Sequence, residues 1–150
     1  MMELTGTRLI QFRVDGIPAP KGAMSAFPIR KAGALTGKVV VTARGSAKQT
    51  EWTNRVLSVV RQVAEDNEFL TGPVSVTVRF YLSKPKSAPK RRTFPDRAPD
   101  IDKLARLVLD AITGTLIEDD ARVVYLQAIK QYAEGGERPG AEVQVWAMPE

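Results

Sequence analysis

Two short groups of carboxylates are the residues in this sequence best suited to chemistry. Asp100 and Asp102 are separated by one residue and follow a proline, and Asp119 and Asp120 are adjacent. Carboxylate oxygens suit hard cations such as Mg²⁺ or Mn²⁺, which offset charge on a phosphoryl group and acidify bound water. Each group also has a structural explanation, since Asp100 is placed to cap a helix and Asp119 to form a turn.

A basic segment precedes the first acidic pair. Residues 84–96 are dense in Lys and Arg, and three prolines exclude regular structure there. A phosphodiester partner explains both features, because the basic loop attracts a backbone that the acids would otherwise repel. A solvated surface loop is the structural alternative. With a net charge of +5, an anionic partner is favoured, and the expected DNA contacts are Lys21, Lys84, Lys86, Lys90, Arg91, Arg92 and Lys103.

Composition limits the chemistry further. The chain has neither cysteine nor histidine, which excludes disulfides, thiol nucleophiles, imidazole bases and Ser-His triads. Catalysis would have to use carboxylates, lysine, tyrosine, hydroxyls or a cation held by oxygen ligands. No apolar stretch is long enough to span a membrane, and the N-terminus does not resemble a secretion signal, so we expect a soluble, intracellular protein.

The elements that must position these residues follow from hydrophobic periodicity. The order of strands and helices predicts an α+β or mixed-sheet α/β layer fold, a single domain over residues 1–150 in which two helices pack a small mixed sheet. Trp52 is expected in the core. The predicted elements are a strand over 8–14, a loop from 17 to 45 broken by a short strand at 39–42, helices near 47–65 and 101–112, and strands over 74–82, near 122–132 and around Val143 and Val145.

The second predicted helix carries an unusual polar face. Asp102, Arg106 and Asp110 are spaced four residues apart, so their side chains line one side of the helix. Arg106 is therefore placed either to contact a bound phosphate or simply to bridge two acids as an ion pair.

These residues also carry a resemblance to a known family. The run from Pro99 to Arg106, continuing through 109–113 to 118–124, reads PDIDKLAR, LDAIT and EDDARVV, and it resembles the signature of the RusA family of Holliday-junction resolvases. Residues 18–22 resemble the front part of phage-type members. The resemblance implies a homodimer that binds four-way DNA junctions and makes paired nicks by Mg²⁺-dependent hydrolysis, with Mn²⁺ as a possible substitute.

The resemblance also assigns roles to individual residues. It maps the catalytic, metal-binding carboxylates onto Asp100, Asp102 and Asp120, with Asp119 as an assisting neighbour and Asp110 as a structural acid of the helix face. Two positions depart from the family pattern. Lys103 stands where an asparagine is usual, and Arg106 where a catalytic lysine is usual; arginine binds phosphate bidentately but does not donate a proton at neutral pH. Either cation is a candidate for the lysine's role.

Other interpretations stay open at this point. The chain is alternatively a DNA-binding module without catalysis, a nuclease that cuts other branched or duplex DNA, or an interaction protein in which the acids only cap and turn. The resemblance implies the cytoplasm of a bacterial or phage-infected cell.

Overall fold

A computed structural model of the chain describes residues 8–20, 24–31, 34–43 and 47–149. The strands are β1 (Arg8–Asp15), β2 (Met24–Lys31), β3 (Ala34–Ala43), β4 (Val74–Leu82), β5 (Val123–Tyr132) and β6 (Gly140–Ala147). The helices are α1 (Ala47–Glu65), α2 (Ile101–Ile112) and a short 3₁₀ turn at Asp120–Arg122. Within this part of the chain no helix is long and apolar enough to cross a bilayer.

A four-stranded mixed sheet in the order β1-β6-β4-β5 forms the centre of the fold. β6 runs antiparallel to both β1 and β4, whereas β4 and β5 run parallel. Parallel neighbours require a crossover connection, and here it comprises residues 83–122, including α2. The sequence prediction of a small mixed sheet with two helices is confirmed.

The core lies between one face of this sheet and both helices. Side chains alternate along a strand, so Val76, Val78 and Phe80 of β4 face the helices and are fully buried. Trp52 of α1 and Leu104 of α2 belong to the same buried cluster. The burial of Trp52 confirms the prediction that this tryptophan belongs to the core.

The region between β1 and α1 differs from its prediction. Instead of a loop with one short strand at 39–42, β2 and β3 form an antiparallel two-stranded sheet of their own. Pro28 lies within β2, and the pairing register shifts between Pro28 and Arg30. A strand with one neighbour tolerates a proline, because the missing N–H can face away from its partner. Reading proline and glycine as loop signals was therefore wrong here.

Candidate active site

The polar side of α2 provides most of the predicted site. The opposite side of the helix, which includes Leu104 and Val108, is buried against the sheet, so packing fixes the rotation of the helix about its axis. Asp102, Arg106 and Asp110 consequently remain exposed on one side. Their predicted four-residue spacing along one helix face is confirmed.

The second acidic group is held by a turn that packs against the chain after α1. Leu116 and Ile117 are buried, and the Leu70 amide donates to the Leu116 carbonyl at 2.9 Å. Asp119 caps the following 3₁₀ turn, where its Oδ1 accepts a hydrogen bond from the Ala121 amide at 3.2 Å. This bond confirms the predicted turn-forming role of Asp119, and it fixes Asp120 at the first position of the 3₁₀ turn.

One carboxylate of each acidic group lines a cavity between α2 and β5. Asp102, Arg106, Asp110 and Asp120 line this cavity of about 620 Å³. The rest of the lining is apolar and comes from α2 and β5: Ile101, Ala105, Leu109, Leu126 and Ala128. Residues far apart in sequence are thus combined into a concave site with one charged and one apolar wall, which we call the acidic cavity.

Negative charge is concentrated at the Asp120 end of the acidic cavity. A hydrogen bond with the Asp119 carboxyl raises the pKa of Asp120 above its usual range, and desolvation and the nearby charges of Asp119 and Asp110 act in the same direction. The pKa of Asp119 is lowered, chiefly because its carboxylate accepts a backbone hydrogen bond from Ala121. A cation or a proton at this end would relieve the repulsion between these carboxylates.

Asp110 has a larger part in this arrangement than the resemblance implied. As a structural acid of the helix face it would act on α2 alone. In the structure it lines the acidic cavity, and its charge acts on Asp120. Its position four residues after Arg106 on the same helix face was the sequence signal for this placement.

Asp100 stands apart from the other predicted carboxylates. It occupies the N-cap position of α2, yet its side chain makes no capping hydrogen bond. Its carboxylate instead lies 3.5 Å from Lys103 Nζ, with both side chains about 60% exposed. Asp100 is not among the residues that line the acidic cavity. Of the two candidate cations, Lys103 therefore pairs with Asp100, whereas Arg106 lines the acidic cavity together with Asp102, Asp110 and Asp120.

The donor chemistry of the acidic cavity suits a hard cation. All its charged donors are carboxylate oxygens, and Mg²⁺ is commonly held by one or two carboxylates together with waters and substrate phosphates. Among the described residues, however, no three acidic side chains converge closely enough to form a complete protein cage. The cavity therefore fits a cation that is shared with a phosphate ligand.

The basic loop, residues 83–99, provides exposed positive charge and leads directly into α2, whose polar side lines the acidic cavity. Lys86, Lys90 and Arg91 are exposed. Lys84 is partly engaged within the protein, because its Nζ donates to the Lys90 carbonyl at 3.3 Å and lies 5.6 Å from the centre of the Tyr132 ring. Arg92 pairs with Asp96 at 3.9 Å. Lys21 lies outside the described residues.

Comparison with known proteins assigns a family to this chain with its acid-lined cavity and basic loop. Residues 28–146 match the family described as Endodeoxyribonuclease RusA. The chain is also 31% identical over 147 residues to the Uncharacterized protein YqaN of Bacillus subtilis (strain 168), covering 91% of this chain and 94% of that protein. The chain therefore belongs to the RusA family of endodeoxyribonucleases.

Proposed function

We propose that this protein is a metal-dependent endonuclease that resolves Holliday junctions by paired phosphodiester hydrolysis. The observation that carries the proposal is the acidic cavity, which is lined by Asp102, Arg106, Asp110 and Asp120 and whose helix directly follows the basic loop. A site for DNA cleavage needs anionic ligands for a cation and positive charge for the backbone, and the chain has both within one crossover.

The carboxylates are the proposed ligands of Mg²⁺ or Mn²⁺. Asp102 and Asp120 would hold the cation together with Asp100, and Asp119 would assist through Asp120. When bound, the cation supplies positive charge that offsets the developing charge on the phosphate and acidifies water. The chain has no histidine, and we assign the acceptance of a proton from the attacking water to a carboxylate of the cavity.

Arg106 is the proposed phosphate ligand of the cavity. Its guanidinium presents a planar set of donors that matches two oxygens of a phosphate, and it keeps its charge throughout the reaction. Lys103 is paired with Asp100, and its ammonium group does not match two phosphate oxygens as a guanidinium does. We therefore assign the role of the family's lysine to Arg106. Arg106 would act by electrostatic stabilisation and not by proton donation.

DNA contacts outside the cavity are assigned to the basic loop. Lys86, Lys90 and Arg91 are exposed and would neutralise backbone phosphates, with Lys84, Arg92, Lys103 and Lys21 as further candidates from the sequence. Such contacts hold the DNA without reading its sequence. The substrate preference for a four-way junction would then depend on how two sites are arranged.

We propose a homodimer for that reason. Paired nicks on opposing strands require two active sites, and a two-fold symmetric dimer supplies them with the symmetry of the junction itself. The expected location is the cytoplasm of a bacterial or phage-infected cell, where recombining DNA is found.

The test compares a synthetic four-way junction with a duplex of the same sequence and a flap, each with and without Mg²⁺. We expect symmetric nicks in the junction only when Mg²⁺ is present. Efficient cutting of the duplex or the flap would instead favour a nuclease of broader substrate range. Binding of the junction without cleavage under any divalent cation would leave a DNA-binding module. Sedimentation of the same preparations, free and bound to the junction, tests whether the protein is a dimer.

A further inference from the structure

Lys130 lies on the helix-facing side of β5, is partly buried, and directs its ammonium group to the main chain of the protein. It pairs in register with Phe80 of β4, so it shares a face with Leu126 and Ala128, which line the acidic cavity. Its ammonium group donates two hydrogen bonds to main-chain carbonyls, to Pro99 O at 2.8 Å and to Arg97 O at 2.9 Å. Lys130 is thus tied to the segment that ends at Asp100.

The bonds of Lys130 add to the weak contacts that Asp100 makes through its own side chain. The side chain of Asp100 makes no capping bond, and its ion pair with Lys103 is well exposed and therefore weak. The Leu104 amide donates to the Asp100 carbonyl at 3.1 Å, which begins the helix but does not fix where that beginning lies relative to β5. The two charge-assisted bonds of Lys130 join the residues just before Asp100 to the sheet.

The same strand also carries the other acidic group. β5 begins directly after the 3₁₀ turn of Asp120, and its pairing with β4 makes it a rigid connection between Asp120 and Lys130. We propose that Lys130 is a positioning residue, which sets the separation between Asp100 and the carboxylates of the acidic cavity. This inference rests on the proposed function for its consequence in catalysis, although the positioning itself can be measured without metal or DNA.

Lys130→Met tests the proposal, because methionine keeps an unbranched apolar stem and removes all three donors. The control is Lys48→Met, which removes one charge from an exposed position on α1. Lys130→Arg, which restores the charge and the hydrogen-bond donors, should recover part of the protection from exchange and of the Mn²⁺ affinity that Lys130→Met loses. Groups that orient a metal ligand without touching the metal typically change metal affinity by about 10-fold to 100-fold.

Three measurements on the same preparations define the outcome. Hydrogen exchange without ligands should become at least about tenfold faster over residues 97–104, including the Leu104 amide, in Lys130→Met only. Calorimetric titration with Mn²⁺ should show affinity weaker by about tenfold or more. Junction cleavage in Lys130→Met should fall at low Mg²⁺ and recover toward the wild-type rate at high Mg²⁺, while junction affinity stays equal to that of Lys48→Met.

Unchanged exchange, Mn²⁺ affinity and Mg²⁺ dependence in Lys130→Met would overturn the inference. So would a loss of junction affinity with normal Mn²⁺ binding, since that pattern is expected of a direct phosphate contact. If Lys130→Met does not fold, Lys130→Gln, which retains an amide donor, takes its place in the same measurements. A wild-type protein that neither binds Mn²⁺ nor cuts a junction, with exchange still faster in the variant, would refute the proposed function and leave the positioning intact.

Discussion

The acidic cavity and the basic loop lie on either side of Asp100 in one crossover, yet they are built in opposite ways. The cavity takes its side chains from regular elements, α2, the 3₁₀ turn and β5, and directs them toward one space. The basic loop depends on prolines and main-chain turns, such as the bond from Ala88 N to Pro85 O at 3.0 Å, and its free charges are exposed. Chemistry requires convergent groups held by rigid elements, whereas attraction of a DNA backbone tolerates dispersed charge.

The largest effect is expected from the carboxylates of the cavity. Asp102→Asn and Asp120→Asn should each abolish junction cleavage, because an amide is a poor ligand for a hard cation. Junction binding should survive or tighten, since negative charge facing phosphate is removed. Single-turnover cleavage and gel-shift titration measure the two properties, and Asp66→Asn, at the exposed position directly after α1, is the control.

Asp100→Asn belongs to the same test, and it decides whether Asp100 is a metal ligand or lies outside the site. Loss of cleavage in this variant would support Asp100 as a metal ligand that approaches the cavity when DNA binds. Full activity would remove Asp100 from the site and leave the residues that line the cavity. Normal rates in all three Asp→Asn variants would end the metal-carboxylate hypothesis.

Arg106 is expected to have the next largest effect. Arg106→Ala should lower the cleavage rate by roughly a hundredfold or more, as for other electrostatic groups in active sites, with little change in melting temperature. Arg106→Lys should keep substantial activity. An active Arg106→Ala enzyme together with an inactive Lys103→Ala enzyme would transfer the cationic role to Lys103.

The basic loop should affect binding and not the chemical step. Replacing Lys86, Lys90 and Arg91 together with alanine should weaken binding to junction and duplex alike, because their proposed contacts are with phosphates. Each lost contact should reduce the slope of log affinity against log salt by about 0.9. A triple variant with an unchanged salt slope would mean that the loop is merely a solvated surface. Arg92 is left in place because it pairs with Asp96.

Asp110→Asn should give the smallest of these effects. It tests whether Asp110 belongs to the functional site or only to the helix face. We expect cleavage to fall by about tenfold with a higher Mg²⁺ requirement, as for groups that act on a metal site through a neighbour. Cleavage measured across a Mg²⁺ series, beside melting temperature, separates this role from a structural one. A wild-type Mg²⁺ dependence would return Asp110 to the helix face alone.

The elements that sequence patterns predicted well are those with local signals. The alternation from Val74 to Leu82 and the apolar stripe of α2 gave a strand and a helix that the structure confirms. The β2–β3 pairing was missed because Pro28 and the nearby glycines suggest a loop, while only contact between two strands makes the hairpin stable. The parallel pairing of β4 with β5 has no local signal.

The candidate site followed the same rule. Asp102, Arg106 and Asp120 could be identified from spacing and family resemblance, and they meet in one cavity. The apolar lining of the cavity and the two hydrogen bonds of Lys130 could not be identified from the sequence. Leu126, Ala128 and Lys130 become neighbours of α2 only when β5 joins the sheet. Their spacing of two along a strand indicated a shared face but not what that face would contact.

The parallel pairing of β4 and β5 also determines when the site can exist during folding. Val78 pairs with Ala128, about fifty residues further along the chain, so this contact closes a long loop and forms slowly compared with a helix. α2 can form early with its Asp102 and Arg106, but Asp120 reaches them only after the last parallel strand is in place. Under the proposed function, a partly folded or newly synthesised chain carries an incomplete site. DNA cleavage would thereby be restricted to molecules whose sheet is complete, and recovery of activity during refolding should lag behind recovery of helical circular dichroism.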